Sequence, residues 1–458
     1  MRGEVACDPV DDEPARLDHQ VHIWADALQR TARRVRASAI TASDQAGPRA
    51  LAAAVAAARL GLPVTWRGST HADDGGPASA WTHLHHASRA ERPGTSRPLS
   101  SITLGLVADQ FTRDTFSATL PITELRRDRW RQQLDGLDAV VIESAWEGRD
   151  KEWFHGVAYH GEEDSADLRQ LLAECRRLGI PSIFWNKEDP VHFRSFRSPA
   201  SWCDHVFTTD AGVLPRYLDT EDTLARTASA LPFFAQPRLH HPVPGGRPFQ
   251  HTVAFAGSYY GKRYAKRSAE LRMIFDEAVP FGLTIYDRQH DRPESPYQLP
   301  EELKQYSVGA VSYAEMLEVY RAHPVHINVN SVSDSPSMFS RRVVEIAASG
   351  SLVLSGEGRG VREVLGEAFP VLTTAEEWHE HLERAMTDED ARWRAVERQY
   401  LAIMRAHRAD QALVIMLRTA GIAVDPEPVT RGLDFLQVET ATVPARVREL
   451  VQAPLWTE

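Results

Sequence analysis

The chain is poor in cysteine. Cys7, Cys175 and Cys203 are its only three in 458 residues, too few and too far apart for a disulfide framework or a zinc knuckle. It also lacks a surplus of positive charge. Its 52 Lys+Arg stand against 63 Asp+Glu, a net charge of −11, which argues against a general nucleic-acid surface and makes any basic cluster a local matter. No apolar run is long enough to cross a bilayer; the most apolar, LAAAVAAARLGLPV (51–64), carries Arg59 and is too short. The N-terminal MRGEVACDPVDDEP is acidic and has no apolar signal core, so the expected location is the cytoplasm. There is no G-x-S-x-G elbow and no plausible Cys–His pair. His83, His85 and His86 have no Cys or carboxylate at matching spacing, and Asp388-Glu-Asp390 lies in a polar helical stretch; no metal site is expected.

What the chain does have is a 43% hydrophobic content, enough for two or three buried cores, and a repeated strand–helix rhythm. Residues 1–32 are acidic, then amphipathic, and read as an N-terminal extension. From residue 33, VRASAITAS and PVTWRG read as strands flanking an Ala-rich helix; 67–101 is a Gly/Pro/Ser-rich loop or inserted linker. Strands resume at SITLGLVAD (101–109), DAVVIESAW (138–146), IPSIFWN (180–186) and HVFTTD (205–210). Pro and Gly then concentrate at 231–251, where a domain boundary is expected. The rhythm returns with TVAFAGS, LTIYDRQ, VHINVN, SLVLS and FPVLT, and with capping boxes at Ser312-x-x-Glu315 and Thr374-x-x-Glu377. The expected fold class is α/β, two Rossmann-like doubly wound domains facing an interdomain cleft, at 33–240 and 241–390, followed by a return helix and tail at 391–458. Parallel sheets with helices on both faces place ligands at the carboxyl ends of strands.

Four stretches stand at such ends. VAFAGSYYGKRYAKR (253–267) is a strand, a glycine turn and then Lys262, Arg263, Lys266 and Arg267 at a helix start. Cations are the wrong sign for a helix N-terminus, unless an anion docks on the exposed N–H groups of the turn at Gly257 and Ser258. The stretch is one residue short of a Walker loop and has Arg263 where a magnesium-binding hydroxyl would stand, so an ATPase is not expected. In the second stretch a strand ends at Asn330 and a helix begins near Ser340 carrying Arg341 and Glu345, four apart and on one face. The pair is either an internal ion pair or a phosphate and ribose contact. In the third, Glu188, Asp189 and His192 follow a strand end, where they form either a capped turn or a base for an acceptor hydroxyl. In the fourth, Gly356-Glu-Gly358-Arg-Gly360 lacks the spacing of a dinucleotide fingerprint, which makes a dehydrogenase a remote reading.

VVIESAWEGRDKEW, IPSIFWNKEDPVHFRSF, CDHVFTTD, VAFAGSYYGKR, VSYAEMLEVYRAHPVHINVN and RRVVEIAASGSLVLS, in this order across roughly residues 100 to 410, resemble the CgeB-type (spore maturation protein B) glycosyltransferases. The resemblance implies a GT-B fold, with a nucleotide-diphosphate sugar on the C-terminal domain and an acceptor on the N-terminal one. It implies that Gly257 and Arg263 form the diphosphate loop and that Glu345 holds the donor ribose. Many retaining relatives carry a further Glu eight residues earlier; here that residue is Ser337, which leaves retention or inversion open. The function expected is a metal-independent, hexosyltransferase-like activity with no cofactor. Donor contacts are expected from Gly257, Ser258, Lys262, Arg263, Lys266, Asn330, Arg341 and Glu345, and acceptor chemistry from Asp189, Glu188 or His192. The acceptor, whether glycan, small molecule or protein, is not named by the sequence, and neither nucleic acid nor a membrane span is expected. Two alternatives are a non-catalytic nucleotide-sugar-binding or assembly protein and a nucleotide-sugar epimerase.

Overall fold

A computed structural model describes residues 96–161, 164–218, 223–425 and 443–453. The extension 1–32, the strands and helix expected between 33 and 66, the linker up to residue 95 and the three linker histidines lie outside the described residues. All of the described residues belong to one compact unit, Leu60–Glu458.

A short β1 (Arg97–Pro98) leads into β2 (Leu104–Val107), β3 (Ile122–Glu124), β4 (Ala139–Glu143), β5 (Ser182–Asn186), β6 (His205–Thr208) and β7 (Thr227–Ala230). The last six form a parallel sheet in the order β3-β2-β4-β5-β6-β7. Central strands AVVIE and SIFWN are buried at every residue, as a sheet covered on both faces requires. The helix Ala166–Leu178 buries Leu168, Leu171, Leu172 and Cys175, spaced three and four apart, and stops at Gly179, whose φ of 73° is the left-handed cap an L-residue avoids. Strand order changes direction between β2 and β4. That is the switch point, where the loops leave a crevice.

The second sheet is built from β8 (Val253–Gly257), β9 (Leu283–Asp287), β10 (Val325–Asn328) and β11 (Leu352–Ser355), parallel in the order β11-β10-β8-β9, with its own switch point between β8 and β10. A final β12 (Val424–Asp425) pairs with β1. The helices Tyr313–Ala322 and Ala375–Thr387 both open with the capping boxes read from the sequence.

Four expectations are corrected. FPVLT forms a single bridge, Ser355 with Val371, and no strand, because Pro370 has no N–H to extend a ladder. The return helix expected from residue 391 is two helices, Glu389–Ala406 and Ala409–Thr419. The backbone between them leaves the helix to bond Ala235, whose N–H donates to His407 O and whose carbonyl accepts from Ala409 N, both at 2.8 Å. Edge strands β3 and β7 were not expected: ITE and TASA are only three and four residues long and contain no continuous apolar run. Asp388 caps the helix Glu389–Ala406 through Ala391 N at 2.9 Å, so part of the Asp388-Glu-Asp390 run closes a helix end. The proline-rich 231–251 segment is well packed: Leu231, Phe233, Phe234 and Ala235 are buried in the one hydrophobic cluster that also holds residues of both sheets.

Candidate functional site

The carboxyl ends of the two sheets bound one cleft of about 740 Å³. Asp109, Trp146, Lys187 and Glu188 line it from the first sheet, Arg288 and Arg341 from the second, and Phe233 from the segment between. That size is in the range of small-molecule sites.

The first wall is organised by a buried charge web at its switch point. Glu143, the last residue of β4, is fully buried; it accepts the Asp109 N–H at 2.8 Å and the hydroxyl of Thr112. Lys187, one residue past β5, puts Nζ 3.0 Å from Glu143 and 3.1 Å from Asp109. Burial acts to lower the Lys187 pKa, but Glu143, Asp109 and Glu188 outweigh it and hold it above its ordinary value. Burial acts to raise the Asp109 pKa, and Lys187 with the Gly148 N–H outweighs it, so the carboxylate stays ionised. Asp109 also accepts the backbone N–H groups of Gly148 (2.9 Å), Trp146 (3.3 Å) and Glu147 (3.4 Å). It thereby fixes the turn that forms this wall, just before Asp150 and Lys151, which hold the left-handed φ values of 52° and 63°.

The second wall carries positive charge. Three arginines from three elements surround the turn at the end of β8. Arg342 donates to Ala256 O, Arg267 donates to Ser258 O at 3.1 Å, and the backbone N–H of Arg288 donates to Gly257 O at 3.1 Å. Ser258 itself accepts from Gln289 at 3.0 Å. Burial, then the proximity of Arg342, pushes the Arg267 pKa down to about 10; burial also lowers that of Arg342, with Arg288 acting in the same direction. The Nε of Arg267 is buried without a hydrogen-bond partner. Two guanidinium groups held close with a third nearby leave a surplus of charge that an anion would relieve.

Of the residues expected from sequence, Glu188 and Arg341 line the cleft and Gly257 and Ser258 form the turn just described. The structure does not bring the others to the cleft wall. Asp189 is fully buried, accepting from Asn186 (2.9 Å), Thr208 (2.6 Å) and Tyr217 (2.6 Å), and burial pushes its pKa up to about 7. His192 packs edge-on behind Trp146 at 4.9 Å. Lys262 and Arg263 are exposed, with Arg263 bonded to the Tyr297 hydroxyl, and Lys266 pairs with Glu357 at 2.6 Å. Asn330 is buried and accepts the N–H of Ser340 at 3.0 Å, holding the loop before the helix Arg342–Ala348. Glu345 forms the internal ion pair, 3.0 Å from Arg341 Nε, and accepts from Tyr320 (3.0 Å) and Tyr313 (3.3 Å). Burial would raise its pKa; Arg341 and the nearby His240 lower it. Ser337 is spent inside the fold, donating to Thr209 O and accepting from Ala211 N, both at 2.8 Å.

Asp109, Arg288 and Arg342 were missed, and Glu143 and Lys187, although they stand at strand ends in IESAWEG and SIFWNKEDPVHFRSF, were given no role. Asp109, Glu143, Lys187 and Arg288 lie within two residues of a strand's carboxyl end, so the rule that pointed to Glu188 applies equally to them.

Two Rossmann-like parallel sheets whose carboxyl ends meet at one cleft define an α/β protein of the GT-B class. Within it, residues 267–418 match a family model described as glycosyl transferase-like. The chain is also similar in structure to a glycosyltransferase from Rickettsia africae (11% identity, TM-score 0.45, covering 76% of this chain and 100% of that one). A UDP-forming alpha,alpha-trehalose-phosphate synthase from Burkholderia vietnamiensis (12%, TM-score 0.42, 75% and 80%) and a mutant of T4 phage BGT in complex with UDP-glucose (11%, TM-score 0.45, 70% and 99%) are similar to a like degree. With TM-scores below 0.5 these likenesses assign neither activity nor substrate. No curated protein matches the chain.

Proposed function

We propose that the protein moves a sugar from a nucleotide-diphosphate sugar to an acceptor hydroxyl, without a metal ion, and that it is a CgeB-type, hexosyltransferase-like enzyme of the cytoplasm. The observation that carries this reading is the polarity of the cleft: unpaired arginine on one wall and a free carboxylate on the other. Arg288 lines the cleft and forms no ion pair among the described residues, and the carboxylate of Glu188 has no hydrogen-bond partner among them. In the reaction the bond from the sugar C1 to the diphosphate oxygen breaks, and negative charge moves onto the leaving diphosphate. Arg288 and Arg341, backed by Arg267 and Arg342, stabilise that charge as it grows. The acceptor oxygen bonds to C1 and loses its proton, to Glu188 if the configuration inverts. Lys262, Arg263 and Lys266 extend the positive field from outside the cleft wall. Glu345 serves the donor through Arg341, whose guanidinium it holds.

One observation favours the non-catalytic alternative: the Ser337 hydroxyl is used up within the fold, so that position presents no group to a sugar. The test is to incubate the protein with a panel of nucleotide-diphosphate sugars and measure release of free nucleoside diphosphate, with and without candidate acceptors. Release that falls strongly in Arg288→Ala supports transfer. Donor binding without release supports the binding protein, and isomerised donor without release supports an epimerase.

A further inference from the structure

Arg341 is held on two sides by groups of different origin. Glu345 lies one helical turn along the same segment, 3.0 Å from Nε. The guanidinium also lies over the ring of Phe111, which belongs to the helix Gln110–Ser117 at the opposite wall; Cζ stands 3.6 Å from the ring centroid. The same ring meets Tyr313 edge-on, 4.1 Å between centroids.

Tyr313 is fixed in turn. The Gln236 N–H donates to His240 Nδ1 at 2.9 Å, which puts the ring proton on Nε2, and Nε2 lies 2.9 Å from the Tyr313 hydroxyl. That hydroxyl donates to Glu345. Phe111 thus sits against an assembled, buried network on the far wall, and it is half-buried itself.

We propose that Phe111 is a positioning residue for sugar transfer, holding Arg341 in the orientation that receives charge on the leaving diphosphate. The inference rests on the transfer reading given above. An aromatic face displaces water from the flat side of a guanidinium and leaves its edge free for an anion. A drier, fixed guanidinium acts more strongly on charge that develops nearby. Glu345 comes from the arginine's own segment and Tyr313, whose ring centroid is 5.8 Å from Cζ, from the same half, whereas the closer aromatic face, Phe111 at 3.6 Å, comes from the acceptor wall. The closest support of Arg341 is therefore in place only when the two walls stand together as they do here, which ties activation of the donor to presence of the acceptor side.

The test compares Phe111→Leu, which keeps bulk and removes the aromatic face, with Phe111→Tyr, which keeps the face. Phe111→Leu lowers kcat about tenfold, changes the donor KM by less than about threefold and leaves the melting temperature in place, because the ring acts on charge that grows in the transition state. Phe111→Tyr restores kcat. Wild-type kcat in Phe111→Leu, alongside a large loss in Arg341→Ala, overturns the positioning role and leaves the transfer reading standing. Equal losses in the Leu and Tyr variants overturn it as well. Unchanged turnover in Arg341→Ala overturns the transfer reading itself.

Discussion

A Cβ added at Gly257 would lie 3.0 Å from Nη1 of Arg342, so the end of β8 and the start of the helix Arg342–Ala348 approach this closely only because residue 257 has no side chain. Gly257→Ala pushes the guanidinium off the Ala256 carbonyl. The expected cost is that of an overpacked interior site, about 1–3 kcal/mol by urea unfolding. Nucleoside diphosphate affinity falls with it. A variant that keeps both stability and affinity would show that this close approach serves no purpose.

The outer candidate and the inner one separate cleanly by substitution. Arg288 lines the cleft without an ion-pair partner among the described residues, whereas Arg263 is exposed and bonded to Tyr297. Arg288→Ala lowers donor turnover by about 10²–10³, the loss typical of one donor to a developing oxyanion. Arg263→Ala stays within about threefold of wild type, as expected of a group that acts only through the surface field. The reverse order would move the anion site to the outer face of the helix Ala265–Ala278.

Glu345→Gln breaks a largely buried ion pair and leaves Arg341 without its partner, while Tyr313 and Tyr320 lose a charged acceptor. Uncompensated charge of this kind costs about 3–5 kcal/mol, read as a lowered urea midpoint with an unchanged m-value. A loss below about 1 kcal/mol would mean that the pair is as weak as an exposed one.

Three buried histidines, His240, His323 and His326, and the half-buried His241 set the acid limit of the fold. Burial pushes His240 and His323 down to about 4 and His241 and His326 down to about 3. Above pH 6.5 they are neutral in both the folded and unfolded states and contribute nothing to pH dependence. Below it only the unfolded chain takes up protons, so stability falls with pH until the folded pKa values are reached, by up to about 1.4 kcal/mol per histidine per pH unit. Asp189, raised to about 7 by burial, works the other way: its stabilisation is complete below its unfolded value and is lost as pH rises through 7. One group against four leaves a net acid lability. Urea midpoints should drop clearly between pH 7 and pH 5; a flat profile would contradict the neutral buried state of these rings.

The parallel sheets were legible because their central strands are short apolar runs at regular intervals, such as AVVIE, SIFWN and LTIYD. The edges were not, since ITE and TASA carry no such signal. Glu188 and Arg341, which stand at a strand and a helix boundary in the sequence, line the cleft. The cations of the GKRYAKR stretch were over-weighted because linear density of charge says nothing about which side chains face a cleft. Arg288 and Arg342 stand out only once β8, β9 and the helix after β10 are brought around one turn. Asp189 shows the opposite failure: its sequence context marks a strand end, but the partners that consume its oxygens, Thr208 and Tyr217, come from elsewhere in the chain.

The central claim is that a diphosphate binds against Arg288 and Arg341 across the cleft from Glu188. Calorimetric titration of the wild type and the Arg288→Ala/Arg341→Ala double variant with a panel of nucleoside diphosphates tests it directly. The expected result is saturable binding of at least one member by the wild type, and at least a hundredfold weaker binding, a change of about 2.7 kcal/mol, in a double variant that remains folded. Equal binding by both proteins, or no binding of any nucleoside diphosphate by the wild type, would contradict it.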